Sequence, residues 1–554
     1  MRAAWVSWRE IPSVPPPISA SRWWLSACCT GADTFSNGSA PTGRKSEEPV
    51  NWIVEDFLEP LDARTQVEIE GRTVRIRAWR YRLTGETGYQ VSIYFLDTDL
   101  PQNSERDRAL TGVLYGGDLY YRLCQEILLG IGGVRMLDEL GYRQIGRYHL
   151  NEGHAAPLVL GLLEEARASK GAGTVSAELV DEVRERCVFT THTPVPAGHD
   201  QFPSDMAHRV LGERYVGWLR LCGQEQTLNM TALALRCSRY VNGVAMKHGE
   251  VSQGLFPSYP VHSITNGVHA ATWASPSFRS LFDRYLPDWR RDPLTLRYAV
   301  GIAGSDIWDA HLAAKRRLIE FINHETNSGF DLNVLTLGFA RRTTSYKRPG
   351  LLFHDLERLK TIASHAGRIQ LVFAGKSHPK DQAGKELIRM LHRIREALQG
   401  QVPVVYLPNY DMVLAKLVCA GVDVWLNTPL PPHEASGTSG MKAAMNGVPS
   451  LSVLDGWWIE GHIEGITGWS IGERVEACLE PKEGVDACHA VALYDKLERH
   501  VVPCFYHDHD RFIAIMRHTI AVNGSFFNTH RMVAQYMNDA YSAFDSYFSG
   551  VMRA

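Results

Sequence analysis

The chain has 554 residues, 45% of them hydrophobic and 21% charged, with a formal net charge of −3. That length suffices for at least two domains with their own cores, and the near-neutral charge gives no support to a nucleic-acid or membrane-surface partner. No apolar run reaches the roughly 18 residues of a membrane span, and ten cysteines without a CxxC pair read as reduced thiols of a cytoplasmic protein, not a disulfide framework.

Residues 1–50 carry Ser, Pro, Trp and the pair Cys28-Cys29 without helix or strand periodicity. Arg22-Trp23-Trp24-Leu25 is too short and too polar at its flanks for a signal peptide. This stretch is expected to be disordered or foreign to the fold, with order beginning between Trp52 and Leu58. Strands are then expected at 91–96, 146–150, 188–191 and 261–264. Glu152, His154, His192 and Asn266 fall just after three of them.

From about Asn333 the pattern becomes regular. Short β-branched runs at 334–339, 369–373, 402–407, 422–426 and 450–454 alternate with amphipathic stretches at 351–364, 380–398 and 412–420. This is the βαβ signature of a parallel, doubly wound α/β sheet. Arg341-Arg342, Gly375-Lys376, Asn409-Tyr410 and Glu434 each follow a strand, and open α/β sheets bind ligands along that edge. Residues 532–548 read as a closing helix.

The stretch from Glu434 to Gly447 carries the most chemistry. Residues 436–440 have little side-chain bulk, so their N–H groups can approach an anion closely. Thr438 or Ser439 is expected to N-cap a short helix that Gly447 and Pro449 end, with its positive end toward a phosphate. Lys442 lies among Met441, Ala443, Ala444 and Met445. An apolar setting pulls a lysine pKa down, as an imine with an aldehyde cofactor requires. For such a loop alone, a glycine-rich turn with a solvent-reaching lysine is an equally good reading.

Competing motifs are weaker. His149, Glu152, His154 and His192 match no zinc spacing, so no metal is expected. Tyr506-His507-Asp508-His509-Asp510 reads as a solvated turn. Gly375-Lys376-Ser377 imitates the end of a Walker A loop, but Gln370 stands where its first glycine belongs. Glu152, Asp411, Glu434 and Asp455 supply acids for a glycosidase, yet nothing in the sequence pairs them.

The lysine stretch has company in Asn151-Glu152-Gly153-His154, His192-Thr193-Pro194, Val241-Asn242-Gly243-Val244-Ala245, Thr265-Asn266-Gly267-Val268 and Tyr346-Lys347-Arg348. Together, from about Phe95 to the region of Tyr541, these closely resemble the α-glucan phosphorylases, the glycogen and maltodextrin phosphorylase family, in its shorter bacterial and archaeal branch. Gly440 stands where many members carry Asn. The resemblance implies two Rossmann-like domains facing a cleft, the GT-B glycosyltransferase architecture. It places a partial glucan-side domain at 51–285, a cofactor domain at 286–525 and a helix crossing back to the front domain at 526–554.

The resemblance also implies pyridoxal 5′-phosphate bound at Lys442, with Thr438, Gly437, Lys347 and Tyr410 around it. Arg342 would hold the substrate phosphate. Glu434, Ser436, Gly437 and Tyr346 would read glucose hydroxyls, and His192 and Asn266 would meet the 6-hydroxyl. The His192 carbonyl would face an oxocarbenium-like transition state, with Glu152 and His154 lining the cleft nearby. The implied reaction is retaining phosphorolysis of α-1,4-glucan to glucose 1-phosphate, with the cofactor phosphate as proton shuttle. Family members are often homodimers.

One family feature is not found: the glycine-rich GGLG-type loop of the front domain, which precedes the counterpart of Tyr115-Gly116-Gly117-Asp118. The front part of the N-terminal domain is therefore expected to be incomplete. Two expectations follow, an α-glucan phosphorylase or a truncated non-catalytic homologue that binds pyridoxal phosphate or glucan without turnover. A nucleotide-sugar glycosyltransferase is a weaker third.

Overall fold

The computed structural model describes residues 25–28, 32–39, 45–51, 53–113, 117–376, 381–472 and 482–542. Expectations for most of residues 1–52, for Tyr115-Gly116, for Ser377 and for the end of the 532–548 helix lie outside the described residues. Within the first fifty-one residues, strands β1 (Leu25–Cys28), β2 (Ala32–Ser39) and β3 (Lys45–Asn51) are described, β2 and β3 as an antiparallel pair.

Strands β4 (Glu59–Ile69), β5 (Arg72–Thr84) and β6 (Gln90–Asp97) form an antiparallel meander, with β1 parallel to the far edge of β6. The strand expected at 91–96 thus exists, but in this sheet and not in the parallel sheet that carries Glu152 and His192. Val74, Ile76 and Ala78 point inward between outward arginines, the alternation of a sheet with one solvated face.

A four-stranded sheet follows, all parallel, in the order β12–β11–β8–β7. It uses β7 (Tyr148–Asn151), β8 (Cys187–Thr190), β11 (Tyr240–Gly243) and the short edge β12 (His262–Ser263). Strands β9 (Gln201–Pro203) and β10 (Thr227–Asn229) make a small separate ribbon.

The third sheet is six-stranded and parallel, in the order β15–β14–β13–β16–β17–β18. Its strands are β13 (Leu335–Ala340), β14 (Ile369–Ala374), β15 (Val404–Leu407), β16 (Val424–Asn427), β17 (Ser450–Val453) and β18 (Gly468–Ile471). Every residue of β13 and β14 is buried, as expected where helices cover both faces. Relative to the first strand the order is 3-2-1-4-5-6, and the direction in which successive strands are added reverses between the parallel neighbours β13 and β16.

At the other end of that junction lies a buried ionic knot. Asp423 accepts from Lys315 Nζ at 2.6 Å and from the Thr336 N–H at 2.7 Å, and lies 2.8 Å from His311 Nε2. His311 and Lys315 belong to the helix Gly304–Thr326, so the knot pins that helix beneath β13 and β16. Burial opposes the carboxylate charge, but Lys315 and His311 outweigh it and hold the Asp423 pKa below its usual value. Folding therefore favours the anion, a contribution complete above the unfolded pKa of about 3.9 and lost as pH falls through the folded value. Asp423→Asn leaves Lys315 buried with the Val334 carbonyl but without its carboxylate, with an expected loss of about 3–5 kcal/mol in urea unfolding at pH 7. A loss shrinking toward zero in acid supports the electrostatic cause, and a pH-independent loss contradicts it.

The chain finally returns to the second sheet. The helix Thr529–Tyr536 packs Met532, Val533 and Tyr536 against Val188 and Ile264. The Tyr536 hydroxyl lies 3.0 Å from Thr190 Oγ1 and accepts from Asn242 Nδ2 at 3.0 Å. Val268 N–H donates to the Phe527 carbonyl at 3.0 Å, and Thr529 N–H to that of Val268 at 3.1 Å. A Cβ on Gly267 would fall 2.2 Å from the Asn528 carbonyl oxygen, a clash with backbone that no rotamer relieves. Gly267→Ala is therefore expected to lower stability by about 1–3 kcal/mol and to raise protease cleavage near residue 528. An unchanged melting midpoint and digestion pattern would refute that role.

Candidate active site

The crevice between β13 and β16 gathers charge from two loops. The 3-10 turn Ser345–Lys347 follows β13 and supplies Lys347. The loop after β16 supplies Glu434, buried at 8% exposure. Lys347 Nζ donates to both Glu434 oxygens at 2.5 and 2.6 Å, and Arg341 Nη2 donates to Oε2 at 2.7 Å. Burial alone would raise the Glu434 pKa, but Arg341 and Lys347 bring it down to about 2. Burial and the neighbouring Arg341 lower the Lys347 pKa, against the pull of Glu434.

Two cations thus face one carboxylate, leaving one positive charge in surplus. Among the described residues, Arg341 Nε and Nη1, Thr344 Oγ1 and Ser436 Oγ are buried without a hydrogen-bond partner. Such groups are costly unless a ligand or water satisfies them. Asp455 closes the base of the crevice, accepting from Glu434 N–H at 2.8 Å and Gly456 N–H at 2.9 Å. Burial, then the adjacent Glu434, raises its pKa to about 7.

The helix after this loop runs Thr438–Ala444. Its N-cap is Gly437, at φ 90° and without a side-chain cap, so neither Thr438 nor Ser439 caps it as the sequence suggests. Glycine alone enters that left-handed conformation readily. Lys442 Nζ lies 4.0 Å from the centroid of the Trp273 ring and makes no hydrogen bond or ion pair among the described residues. Burial lowers its pKa, against a smaller opposing effect of Cys419. Tyr410 is half-buried, and desolvation, then Cys419, keeps its hydroxyl protonated. Arg342 is exposed, and Tyr346 carries Lys347 Nζ 4.5 Å from its ring centroid.

The second cluster lies at the carboxyl ends of β7 and β8. Glu152, at φ 72°, accepts from His192 N–H at 2.7 Å, Thr193 Oγ1 at 2.9 Å and its neighbour Gly153 N–H at 3.1 Å. Its carboxylate therefore shapes the turn that presents His192. Burial lowers the pKa of His192 to about 4, leaving a neutral imidazole whose Nε2 is buried without a partner among the described residues. Burial, then Arg122, does the same to His154. His149 Nε2 lies 2.7 Å from Thr190 Oγ1, and its other nitrogen meets the Tyr541 hydroxyl, so it anchors the returning C-terminal segment.

Residues 266–273 connect the two clusters. Arg531 Nη2 donates to the Asn266 carbonyl at 3.0 Å, while Asn446 Nδ2 donates to that of Trp273 at 2.9 Å. No hydrogen bond or ion pair joins Glu152 or His192 to Lys347, Glu434 or Lys442 among the described residues. Sequence reasoning favoured Arg342 over Arg341 and missed Trp273, Asn446 and Arg531. The run Arg341-Arg342 does not say which guanidinium turns inward, and the other three act through contacts distant in sequence.

Fold and site together define an α/β protein with a buried, surplus-cationic crevice at the switch point of a doubly wound sheet. The carbohydrate phosphorylase family model matches residues 199–466. Maltodextrin phosphorylase of Thermococcus litoralis is 39% identical, covering 91% of this chain and 62% of that protein. Glycogen phosphorylase of Mycobacterium tuberculosis is 37% identical over 85% of this chain and 60% of its own length. That of Aquifex aeolicus is 35% identical, with 82% and 70% covered. The chain belongs to the carbohydrate phosphorylase family, and it spans about three fifths of the first two relatives.

Proposed function

We propose that the protein is an α-1,4-glucan phosphorylase of GT-B architecture that uses pyridoxal 5′-phosphate and releases glucose 1-phosphate by retaining phosphorolysis. The observation that carries this reading is the pairing of a surplus-cationic crevice, rich in unsatisfied donors, with a lysine that has no anionic partner among the described residues. An anion suits the free Arg341 nitrogens, and an aldehyde suits a lysine whose neutral form burial favours.

Lys442 would hold the cofactor, with Gly437, Thr438, Lys347 and Tyr410 around it. Bound there, the group supplies a phosphate able to carry a proton beside the substrate phosphate. Arg342, exposed at the mouth, would capture the incoming phosphate, and Arg341 would neutralise charge deeper in. Glu434, already ionised, would accept from a glucose hydroxyl once phosphate draws Lys347 away. Ser436 and Tyr346 would complete that hydroxyl recognition. Glu152 holds the turn of His192, so the His192 carbonyl, its neutral ring and Asn266 would face the sugar, with His154 behind them. A cytoplasmic location and a homodimer accompany this reading.

The test is glucose 1-phosphate release from maltoheptaose and inorganic phosphate, with and without added pyridoxal phosphate. Cofactor-dependent release is expected. A chain that binds the cofactor at Lys442 without releasing the product would instead be the non-catalytic homologue.

A further inference from the structure

We propose that Trp457 is a positioning residue, a wedge that sets the anion-facing loop 436–440 against the segment carrying Asn266; its link to the cofactor rests on the reading above. Trp457 is 2% exposed and touches both ends of the loop. Its backbone N–H donates to the Ser436 carbonyl at 2.8 Å. A Cβ built on Gly437 would lie 3.1 Å from its Cδ1, and one on Gly440 would lie 2.7 Å from its Cζ2. The indole therefore occupies the space that side chains at 437 and 440 would need.

The ring cannot readily withdraw. Its far side packs edge-on against Phe527 at 4.8 Å between centroids, and a Cβ on Gly461 would lie 2.6 Å from its Cζ3. Phe527 in turn bonds through its carbonyl to Val268, two residues beyond Asn266. Trp457 thus joins a front-sheet segment to the loop that begins the Lys442 helix. It makes Gly440 obligatory for a local reason: any larger residue there displaces the indole and, through it, the loop.

This interlock predicts a reversal of sign. In the parent chain, Gly440→Ala forces the wedge out. In a Trp457→Ala background the nearest remaining neighbour is Ser450 Oγ at 3.2 Å, and alanine is the better helix former. The experiment measures apo melting midpoints and pyridoxal phosphate affinity, by borohydride-trapped adduct, for the parent, both single variants and the double. Trp457→Phe is included as the conservative rescue. Each single alanine variant is expected to lower the midpoint and weaken cofactor affinity at least tenfold. Adding Gly440→Ala to Trp457→Ala is expected to leave the midpoint unchanged or raise it, and Trp457→Phe to retain most of the affinity.

Equal midpoint losses from Gly440→Ala in both backgrounds would overturn the interlock. Unchanged cofactor affinity in both single variants, with Lys442→Ala abolishing the adduct, would overturn the positioning role. If the parent forms no adduct, the cofactor reading fails by itself, and the apo midpoints still decide the wedge.

Discussion

Lys442→Ala is expected to abolish the borohydride-trapped pyridoxal phosphate adduct and to lower glucose 1-phosphate release by at least ~10³-fold, the scale on which removing a group essential to a covalent site acts. Its Nζ has no carboxylate partner among the described residues, so the substitution strands no buried anion there. It removes only an amine packed over the Trp273 ring, an interaction of at most about 2 kcal/mol even when charged. The variant should therefore fold, and the loss should be chemical. Lys347→Ala makes the contrast. It leaves Arg341 facing Glu434 and should keep the adduct while weakening phosphate dependence. A full-strength adduct in Lys442→Ala, mapped by peptide mass to another lysine, would sink the assignment.

The six-stranded sheet was legible because its strands are buried on both faces and read as unbroken apolar runs. Five of its six strands fall within two residues of their expected ends. The sixth, Gly468–Ile471, escaped because a glycine start and only four residues give no periodicity. The hairpin of β4 and β5 escaped for another reason: Arg72, Arg75, Arg77 and Arg80 surround its inward Val74, Ile76 and Ala78, and the charges mask the alternation.

The site divides along the same line. Glu434, Lys347 and Lys442 could be named because chemistry follows strand ends in an α/β sheet, and Glu434 and Lys347 meet in the structure. What sequence cannot supply is pairing. The sequence presents Lys347 as a free phosphate ligand, whereas it is held by Glu434. Glu152 looks like a cleft-lining acid, whereas its oxygens are committed to the turn at His192 and Thr193. These are contacts between residues 40 or more positions apart, and no local pattern encodes them.

The pairing of Glu434 also means that the anion-free crevice is stabilised by the residue expected to bind sugar. Glu434→Gln would leave Arg341 and Lys347 buried together, at 8% side-chain exposure each, without the carboxylate that both bond. Removing one partner of a buried ion pair typically costs about 3–5 kcal/mol, and a large share of that loss is expected here. Glu434 titrates near 2, below its unfolded value of about 4.3, so folding favours the anion. The contribution is present above the unfolded value and fades as pH falls toward 2. The parent and variant should therefore differ most near neutrality and converge in acid. Inorganic phosphate supplies the missing charge, so it should raise the melting midpoint of the variant more than that of the parent. A variant as stable as the parent in phosphate-free buffer at pH 7 would mean that Arg341 and Lys347 do not need Glu434. Equal phosphate-induced shifts in the two proteins would mean that the anion binds away from this crevice.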